Sequence, residues 1–145
     1  SDDDFVVVSA HLGPNMVTTP STSIRNFSRW LVDVGADLVF GHSAHVFQGI
    51  EVRDGSPIVY DAGDFVDDYA VDPHLRNDRG FLFELVVGEG RLEQLKLIPT
   101  VIHEYAVYTA PETDAAWSRE HVIERSREFG TRFDREGEDL VLDIS

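Results

Sequence analysis

The chain has 145 residues, of which 42% are hydrophobic, and it contains no cysteine. This length and composition are those expected of a single domain spanning residues 1–145, and they exclude disulfide bonds and thiolate metal ligands. The formal net charge of -15, from 27 acidic against 12 basic residues, disfavours nucleic acid and anionic membrane surfaces as partners.

The N-terminal run DFVVVSAHLG predicts a strand that ends near His11. It is β-branched and apolar on both faces, which is typical of a strand buried inside a layered sheet. A helix is expected from about Ser23, with Ser21 to Ser23 available to cap its start and Gly35 to end it. Its apolar residues recur at helical spacing: Ile24, Phe27, Leu31 and Val34.

The short apolar run ADLVF predicts a second strand directly after this helix, and it leads to His42 and His45. A strand–helix–strand order predicts two parallel strands joined by a right-handed crossover. The next segment, FQGIEVRDGSPIVYDAG, predicts a hairpin with its turn at Asp54 and Gly55.

The second half of the sequence predicts an acidic loop, antiparallel strands and a helix. The stretch DFVDDYAVDPHLRNDRG is expected to be a long loop, and residues 80–109 are expected to form two or three antiparallel strands. One turn is expected around Gly88 to Gly90. A helix is predicted from about Pro111 to Phe129, and DLVLDI predicts a last strand.

Three histidines lie at the ends of the predicted parallel strands. Because the carboxyl ends of adjacent parallel strands meet at one edge of a sheet, His11, His42 and His45 are expected to converge. Three imidazoles suit a divalent ion such as Zn, Mn or Fe. Alternatively, each histidine is a structural residue that satisfies loop hydrogen bonds, and the spacing alone leaves both interpretations open.

Two carboxylates, Asp61 and Asp64, follow the predicted hairpin and are expected near the same edge. Either could be a metal ligand, a partner that orients a histidine, or a general acid or base, and we take both as candidate catalytic residues. The alternative is that they belong to the acidic surface. His74, His103 and His121 are expected to be structural.

The motifs HLG, GADLV, GHSAHVFQG, SPI and YDAGDF follow one another between residues 6 and 65. In this order they resemble the last third of the CapA family of bacterial capsule and poly-γ-glutamate biosynthesis proteins. The family is similar to calcineurin-like metallophosphoesterases, so the resemblance implies an α/β fold of the α+β sandwich type, a layered sheet with flanking helices. It also implies a two-metal site for phosphoester hydrolysis in which His11, His42 and His45 are ligands.

The sequence departs from the family pattern at several positions. Leu12 stands where the family has Trp, Ser43 and Ala44 where it has His-Pro, and Asp64 where it has Asn. The Gly-Asp, Asn-Leu-Glu and Asn-His motifs of the family's N-terminal two thirds, which supply further ligands, have no counterpart here, since the pair Gly63-Asp64 belongs to the YDAGDF motif. The chain is therefore expected to be the C-terminal segment of a longer protein, inactive alone, holding a divalent Mn, Zn or Fe ion weakly or not at all.

The resemblance implies two kinds of partner, the missing N-terminal part of the same protein and other capsule-synthesis proteins. A sheet edge left uncovered also predicts a homodimer. No apolar run approaches the ~20 residues of a membrane-spanning helix, so a soluble fragment is expected. For the intact protein the resemblance implies a membrane-associated or extracytoplasmic location.

Three functions are compatible with the sequence. The first is a metal-dependent phosphoesterase site in capsule synthesis, and the second is a non-catalytic assembly module of a capsule-synthesis complex. The third is a generic metallophosphoesterase unrelated to capsules. Lys96 is the only lysine, and an acidic surface with so few lysines favours a salt-adapted source or, alternatively, a dedicated acidic binding face.

Overall fold

The computed structural model describes residues 4–144, which form two β-sheets with two helices beside them. The first sheet contains β1 (Val7–His11), β2 (Leu38–His42), β3 (Ile50–Arg53) and β4 (Ser56–Val59). The second contains β5 (Arg79–Gly88), β6 (Arg91–His103), β7 (Ala106–Thr109), β8 (Asp134–Glu136) and β9 (Asp139–Asp143). The helices are α1 (Thr22–Asp33) and α2 (Glu112–Ser126), and a 3₁₀ turn (Arg127–Phe129) follows α2.

The first sheet has the strand order β1-β2-β4-β3 and the second β5-β6-β9-β8, with β7 also paired to β6. Apolar residues of both sheets meet in one core, as in a sandwich, and α2 contributes to it. Its most buried members include Phe47, Leu95, Leu97 and Leu140. The predicted α+β sandwich is therefore confirmed.

The predicted crossover is confirmed, because β1 and β2 are parallel and α1 connects them. Their register runs from Val7 opposite Leu38 to His11 opposite His42. The predicted N-cap is also present, since the Ser21 side chain accepts a hydrogen bond of 3.3 Å from the backbone N–H at position 24.

The apolar stripe predicted for α1 is wrong in part. Ile24 and Leu31 pack against the sheet, but Phe27 is 42% exposed and Val34 is 60% exposed. At about 100° per residue, Ile24, Ser28 and Leu31 lie within about 60° of one another on the sheet-facing side, and Ser28 is buried. Phe27 and Val34 therefore lie on a flank of the helix.

The prediction that β1 is buried on both faces is also wrong. Val7 is 47% exposed, and His11 is exposed at the other end of the strand. Within residues 4–144, β1 is the end strand of its sheet, with β2 as its partner, so one of its edges carries no neighbouring strand.

The predicted hairpin is confirmed as β3 and β4, which pair from Ile50–Val59 to Arg53–Ser56. Asp54 and Gly55 have φ angles of 50° and 82°. Two consecutive positive φ values are the geometry that an Asp-Gly turn favours in a two-residue hairpin.

The second sheet contains the three antiparallel strands β5, β6 and β7, and the turn between β5 and β6 lies at the predicted glycines. The predicted helix and last strand are confirmed as α2 and β9. The short strand β8 was not predicted, because its residues are polar and exposed. In residues 4–144, neither helix has the length and apolarity needed to cross a lipid bilayer.

Truncation of a core side chain is expected to test this architecture. Leu97 is fully buried between the sheets, so Leu97→Ala should lower the free energy of unfolding by about 2–5 kcal/mol, because it leaves a cavity. Leu82→Ala is the control, since Leu82 is 45% exposed and its truncation should cost about 0.5 kcal/mol or less. Urea unfolding of both variants measures the difference, and equal costs would contradict the assigned core.

Candidate metal site at the strand ends

Two of the predicted ligands lie side by side at the end of the parallel strand pair. His11 and His42 are the last residues of β1 and β2 and are partners in the strand register. Their ring centroids are 5.4 Å apart with an interplanar angle of 68°. The Nε2 atom of His42 is 3.0 Å from the hydroxyl oxygen of Ser9.

The loop after β2 turns His45 towards the acidic loop. Ser43 and His45 have φ angles of 135° and 65°, so the chain reverses sharply within three residues. The His45 Nδ1 atom lies 2.9 Å and 3.1 Å from the two carboxylate oxygens of Asp64 and 3.8 Å from Oδ2 of Asp67. The edge of the ring meets Tyr69, with centroids 4.4 Å apart.

The structure thus arranges the predicted ligands in two neighbouring groups. His45, Asp64 and Asp67 place ligand atoms within 4.8 Å of one another, and this group could hold a metal ion. In residues 4–144, His11 and His42 form a pair outside that group. We call the first group the His45 cluster.

Asp61 connects the two loops that carry these residues. Its side chain is buried, with Oδ2 accepting a 2.8 Å hydrogen bond from the Ala44 N–H and Oδ1 a 2.9 Å bond from the Gly63 N–H. Burial raises the pKa of Asp61, while these two amides and the neighbouring His42 and His45 oppose that rise. Because backbone amides engage both oxygens, the contacts of Asp61 are those of a residue that organises the loop.

The His45 cluster concentrates negative charge in a partly buried position. Burial, together with the hydrogen bond and charge of Asp67 and the charge of Asp61, raises the pKa of Asp64 to about 8. Oδ2 of Asp67 is buried and has no hydrogen-bond partner in the described part of the chain. Two carboxylates and one imidazole form a nitrogen and oxygen donor set that fits a divalent cation.

Asp67 was not among the predicted ligands, because the stretch that contains it was predicted only as a long acidic loop. Nothing in the stretch DFVDD distinguishes Asp67 from Asp68, yet Asp67 turns inward and Asp68 is exposed. Only the path of the loop beside His45 decides which carboxylate joins the cluster. His121 has the structural contacts expected of it, since its Nδ1 atom is 2.7 Å from the Trp117 carbonyl oxygen.

Comparison with known proteins gives consistent matches. The model of a family described as bacterial capsule synthesis protein PGA_cap matches residues 1–69, which include all members of both groups. A probable polyglutamine synthesis accessory protein of Mycobacterium tuberculosis is 34% identical over 134 residues, covering 89% of this chain and 35% of that protein.

Two further relatives come from Bacillus species. The PGA biosynthesis protein CapA of Bacillus subtilis is 34% identical over 110 residues, covering 70% of this chain and 26% of that protein. The capsule biosynthesis protein CapA of Bacillus anthracis is 28% identical over 148 residues, covering 86% and 36%. The chain therefore spans about a third of the length of the relatives that it matches.

The raised pKa of Asp64 predicts a pH-dependent stability. Its ordinary pKa is 3.8 and its pKa in the fold is about 8, so the folded state binds more protons between these values. Stability should therefore be highest at low pH and fall as the pH rises through about 8. Asp64→Asn, which installs the residue that the family pattern has there, should flatten this decline.

The measurement is thermal unfolding in a chelator-containing buffer from about pH 5 to about pH 9. Asp68→Asn serves as the control, since Asp68 is an exposed neighbour whose change should leave the wild-type profile intact. Parallel profiles for the wild type and Asp64→Asn would show that Asp64 does not carry the effect.

Proposed function

This chain belongs to the bacterial capsule synthesis protein family, and from that premise we propose that it contributes to capsule or poly-γ-glutamate synthesis through a metal-dependent phosphoesterase site. The description of the matched family supports a role in capsule synthesis. The matched region, residues 1–69, contains every candidate ligand. The activity is proposed for the intact protein, since the chain spans 35% of the Mycobacterium tuberculosis relative.

One observation carries the metal proposal, the crowding of two carboxylates against one imidazole in the partly buried His45 cluster. The Asp67 Oδ2 atom is buried without a hydrogen bond, beside a second carboxylate whose pKa is raised to about 8. A buried carboxylate oxygen without a donor is costly unless a cation compensates it, and the other oxygen of Asp67 accepts a hydrogen bond from the Tyr69 N–H. Mn, Zn and Fe accept this mixture of imidazole and carboxylate ligands.

Two ligand sets are available, and both use His45. In the first, Nδ1 of His45 acts together with the carboxylates of Asp64 and Asp67. In the second, which the family resemblance implies, the Nδ1–H of His45 donates a hydrogen bond to Asp64 that orients the ring, and Nε2 is the ligand atom. Its further ligands are then His11 and His42, which do not form a close group with His45 in residues 4–144. Carboxylates commonly orient metal-binding imidazoles in this second way.

The residues around the cluster suit hydrolysis of a phosphoester. A bound divalent ion supplies Lewis acidity for this reaction. Asp64 carries a proton on its carboxylate at neutral pH in the metal-free chain, so it can donate or accept one within the pH range of the cell. Asp61 keeps the loops of His45 and Asp64 together through its two amide bonds.

A non-catalytic assembly module is the second candidate function. His42 lies within hydrogen-bond distance of Ser9, and both oxygens of Asp61 are engaged by amides, which are contacts that a purely structural strand end would also make. Under this proposal the chain binds other capsule-synthesis proteins. A phosphoesterase unrelated to capsules differs from the first proposal only in its substrate. For the intact protein we propose an extracytoplasmic or membrane-associated location.

Metal titration is expected to separate these functions. Mn²⁺ or Zn²⁺ added to the wild-type chain should release heat and shift the imidazole NMR signals of His45. His45→Ala should abolish binding, since both ligand sets include His45. If the first ligand set is correct, Asp67→Asn should weaken metal binding at least about tenfold. If the second set is correct, His42→Ala should weaken metal binding by a similar factor.

His74→Ala is the matched control, because His74 lies on the same acidic loop and is exposed. Binding that is absent in the wild type, or equal in His45→Ala, would refute the metal role and favour the assembly module. Circular dichroism of each variant verifies that the fold is intact.

A further inference from the structure

A small cavity lies beside the His45 cluster, and we call it the Tyr69 pocket. It has a volume of about 220 Å³, and His45 forms part of its lining. The rest of the lining comes from the loop after β1 and from the acidic loop. The lining residues are Asn15, Met16, His45, Tyr69, Ala70 and Asn77. The pocket therefore lies where three loops meet around a candidate metal ligand.

The loop after β1 is fastened to the loop after β2 next to this pocket. The Met16 N–H donates a 2.7 Å hydrogen bond to the Ala44 carbonyl oxygen. The Ser43 hydroxyl donates a second bond, also of 2.7 Å, to the Gly13 carbonyl oxygen. These bonds cross between the two loops and hold one wall of the pocket against His45.

Backbone strain is concentrated in the same two loops. Met16 and His45, which both line the pocket, have φ angles of 57° and 65°, and Ser43 has a φ angle of 135°. Residues other than glycine keep such positive φ angles only where the surrounding contacts enforce them, and they cluster at sites that bind ligands. The strain at these three positions indicates that the pocket is a binding site.

The acidic loop forms the other wall, and Asn77 fixes its shape. Asn77 is buried, with Oδ1 accepting a 2.8 Å hydrogen bond from the Asp72 N–H and Nδ2 donating a 3.1 Å bond to the Ala70 carbonyl oxygen. Both ends of this amide are thus engaged within the protein. The ring of Tyr69 lies at 85° to that of His45 and is 57% exposed, so it is accessible to a bound molecule.

The lining of the pocket disfavours a charged ligand. Within residues 4–144, no lysine or arginine lines it, so an anionic group would lose its hydration there without gaining a partner. The carboxylates of Asp64 and Asp67 contact the Nδ1 side of His45, where the proposed metal ion would use them. A cationic group would therefore also lack a free partner in the pocket.

The lining favours an apolar group with one polar end. Met16, Tyr69 and Ala70 supply a thioether, an aromatic ring and a methyl group. Asn15 is exposed and supplies an amide that can hydrogen-bond a single oxygen atom. A cavity of about 150 Å³ is sufficient for one benzene molecule, so the Tyr69 pocket has room for a group of that size.

We propose that the Tyr69 pocket receives the uncharged, apolar alcohol part of a phosphoester whose phosphoryl group lies at His45. This inference rests on the proposed phosphoesterase function. Hydrolysis bonds a water oxygen to phosphorus and breaks the bond from phosphorus to the alcohol oxygen. The alcohol leaves with one proton of the water, and the other proton stays with the phosphate. Because the pocket and the candidate metal ligands share His45, one ester can occupy both.

The single methionine of the chain provides a selective probe of the pocket. Met16 is the only methionine and lines the pocket, so an isotope-labelled methionine methyl group gives one NMR signal from this site. In chelator-containing buffer, phenol should shift this signal in a saturable manner. Glycerol and glutarate at the same concentration should not shift it, because one is a polyol and the other carries two carboxylates.

Tyr69→Ala is the variant that tests the aromatic wall. It should raise the Kd for phenol at least about threefold, because the ring that phenol contacts is removed. Tyr105→Ala is the matched control, since Tyr105 is 77% exposed in the turn between β6 and β7 and its loss should leave the Kd unchanged. Circular dichroism verifies the fold of both variants.

A second titration connects the pocket to the metal. In the presence of saturating Zn²⁺, phenyl phosphate should bind at least about tenfold more tightly than phenol, because its phosphoryl group reaches the ion at His45. Equal affinities in the Zn²⁺-loaded chain would overturn the proposal that one ester occupies both sites.

The two titrations separate failure of the pocket from failure of the proposed function. A Met16 signal that phenol does not shift, or that glutarate shifts equally, would overturn the pocket in a chain that still binds metal. Phenol binding in a chain that takes up no Zn²⁺ would support the pocket's preference for an apolar alcohol and refute the phosphoesterase function.

Discussion

The buried carboxylate of Asp61 is the contact on which the geometry of the site depends. It accepts the Ala44 amide with one oxygen and the Gly63 amide with the other, and so fastens the loop after β2 to the segment after β4. A backbone bond from the Ala62 N–H to the Gly41 carbonyl, 2.8 Å long, lies beside it. The approach is so close that a Cβ on Gly41 would collide with the Tyr60 carbonyl. His45 and Asp64 meet because these contacts bring their two loops together.

The same contacts crowd several carboxylates together, which suits binding of a proton or a cation but lowers the stability of the fold. Three carboxylates, those of Asp61, Asp64 and Asp67, lie near one another, and burial together with the two neighbouring carboxylates raises the pKa of Asp64 to about 8. Such mutual repulsion in a partly buried position lowers stability unless a proton or a cation compensates it. Strongly raised carboxylate pKa values are characteristic of functional sites for this reason.

On the β1 side of the sandwich, the local sequence and the observed fold disagree in a different way. The β1 sequence is that of an interior strand, yet β1 ends its sheet, and Val7 is half-exposed. The flank of α1 that carries Phe27 and Trp30 is apolar without a covering layer in the described residues. Both mismatches lie on one side of the molecule, away from the ion pairs of Arg25 and Arg29.

The sequence by itself determined the parallel strand pair, the hairpin at Asp54 and the adjacent positions of His11 and His42. These features follow from local patterns, namely strand periodicity, the Asp-Gly turn and the rule that parallel strands end at one edge. It could not determine that His45 would turn to Asp64, because that depends on two positive φ values and on the Asp61 contacts between loops distant in sequence. Only the tertiary structure separated Asp67 from Asp68, and Ile24 from Phe27, since the burial of each is set by what lies opposite it in space.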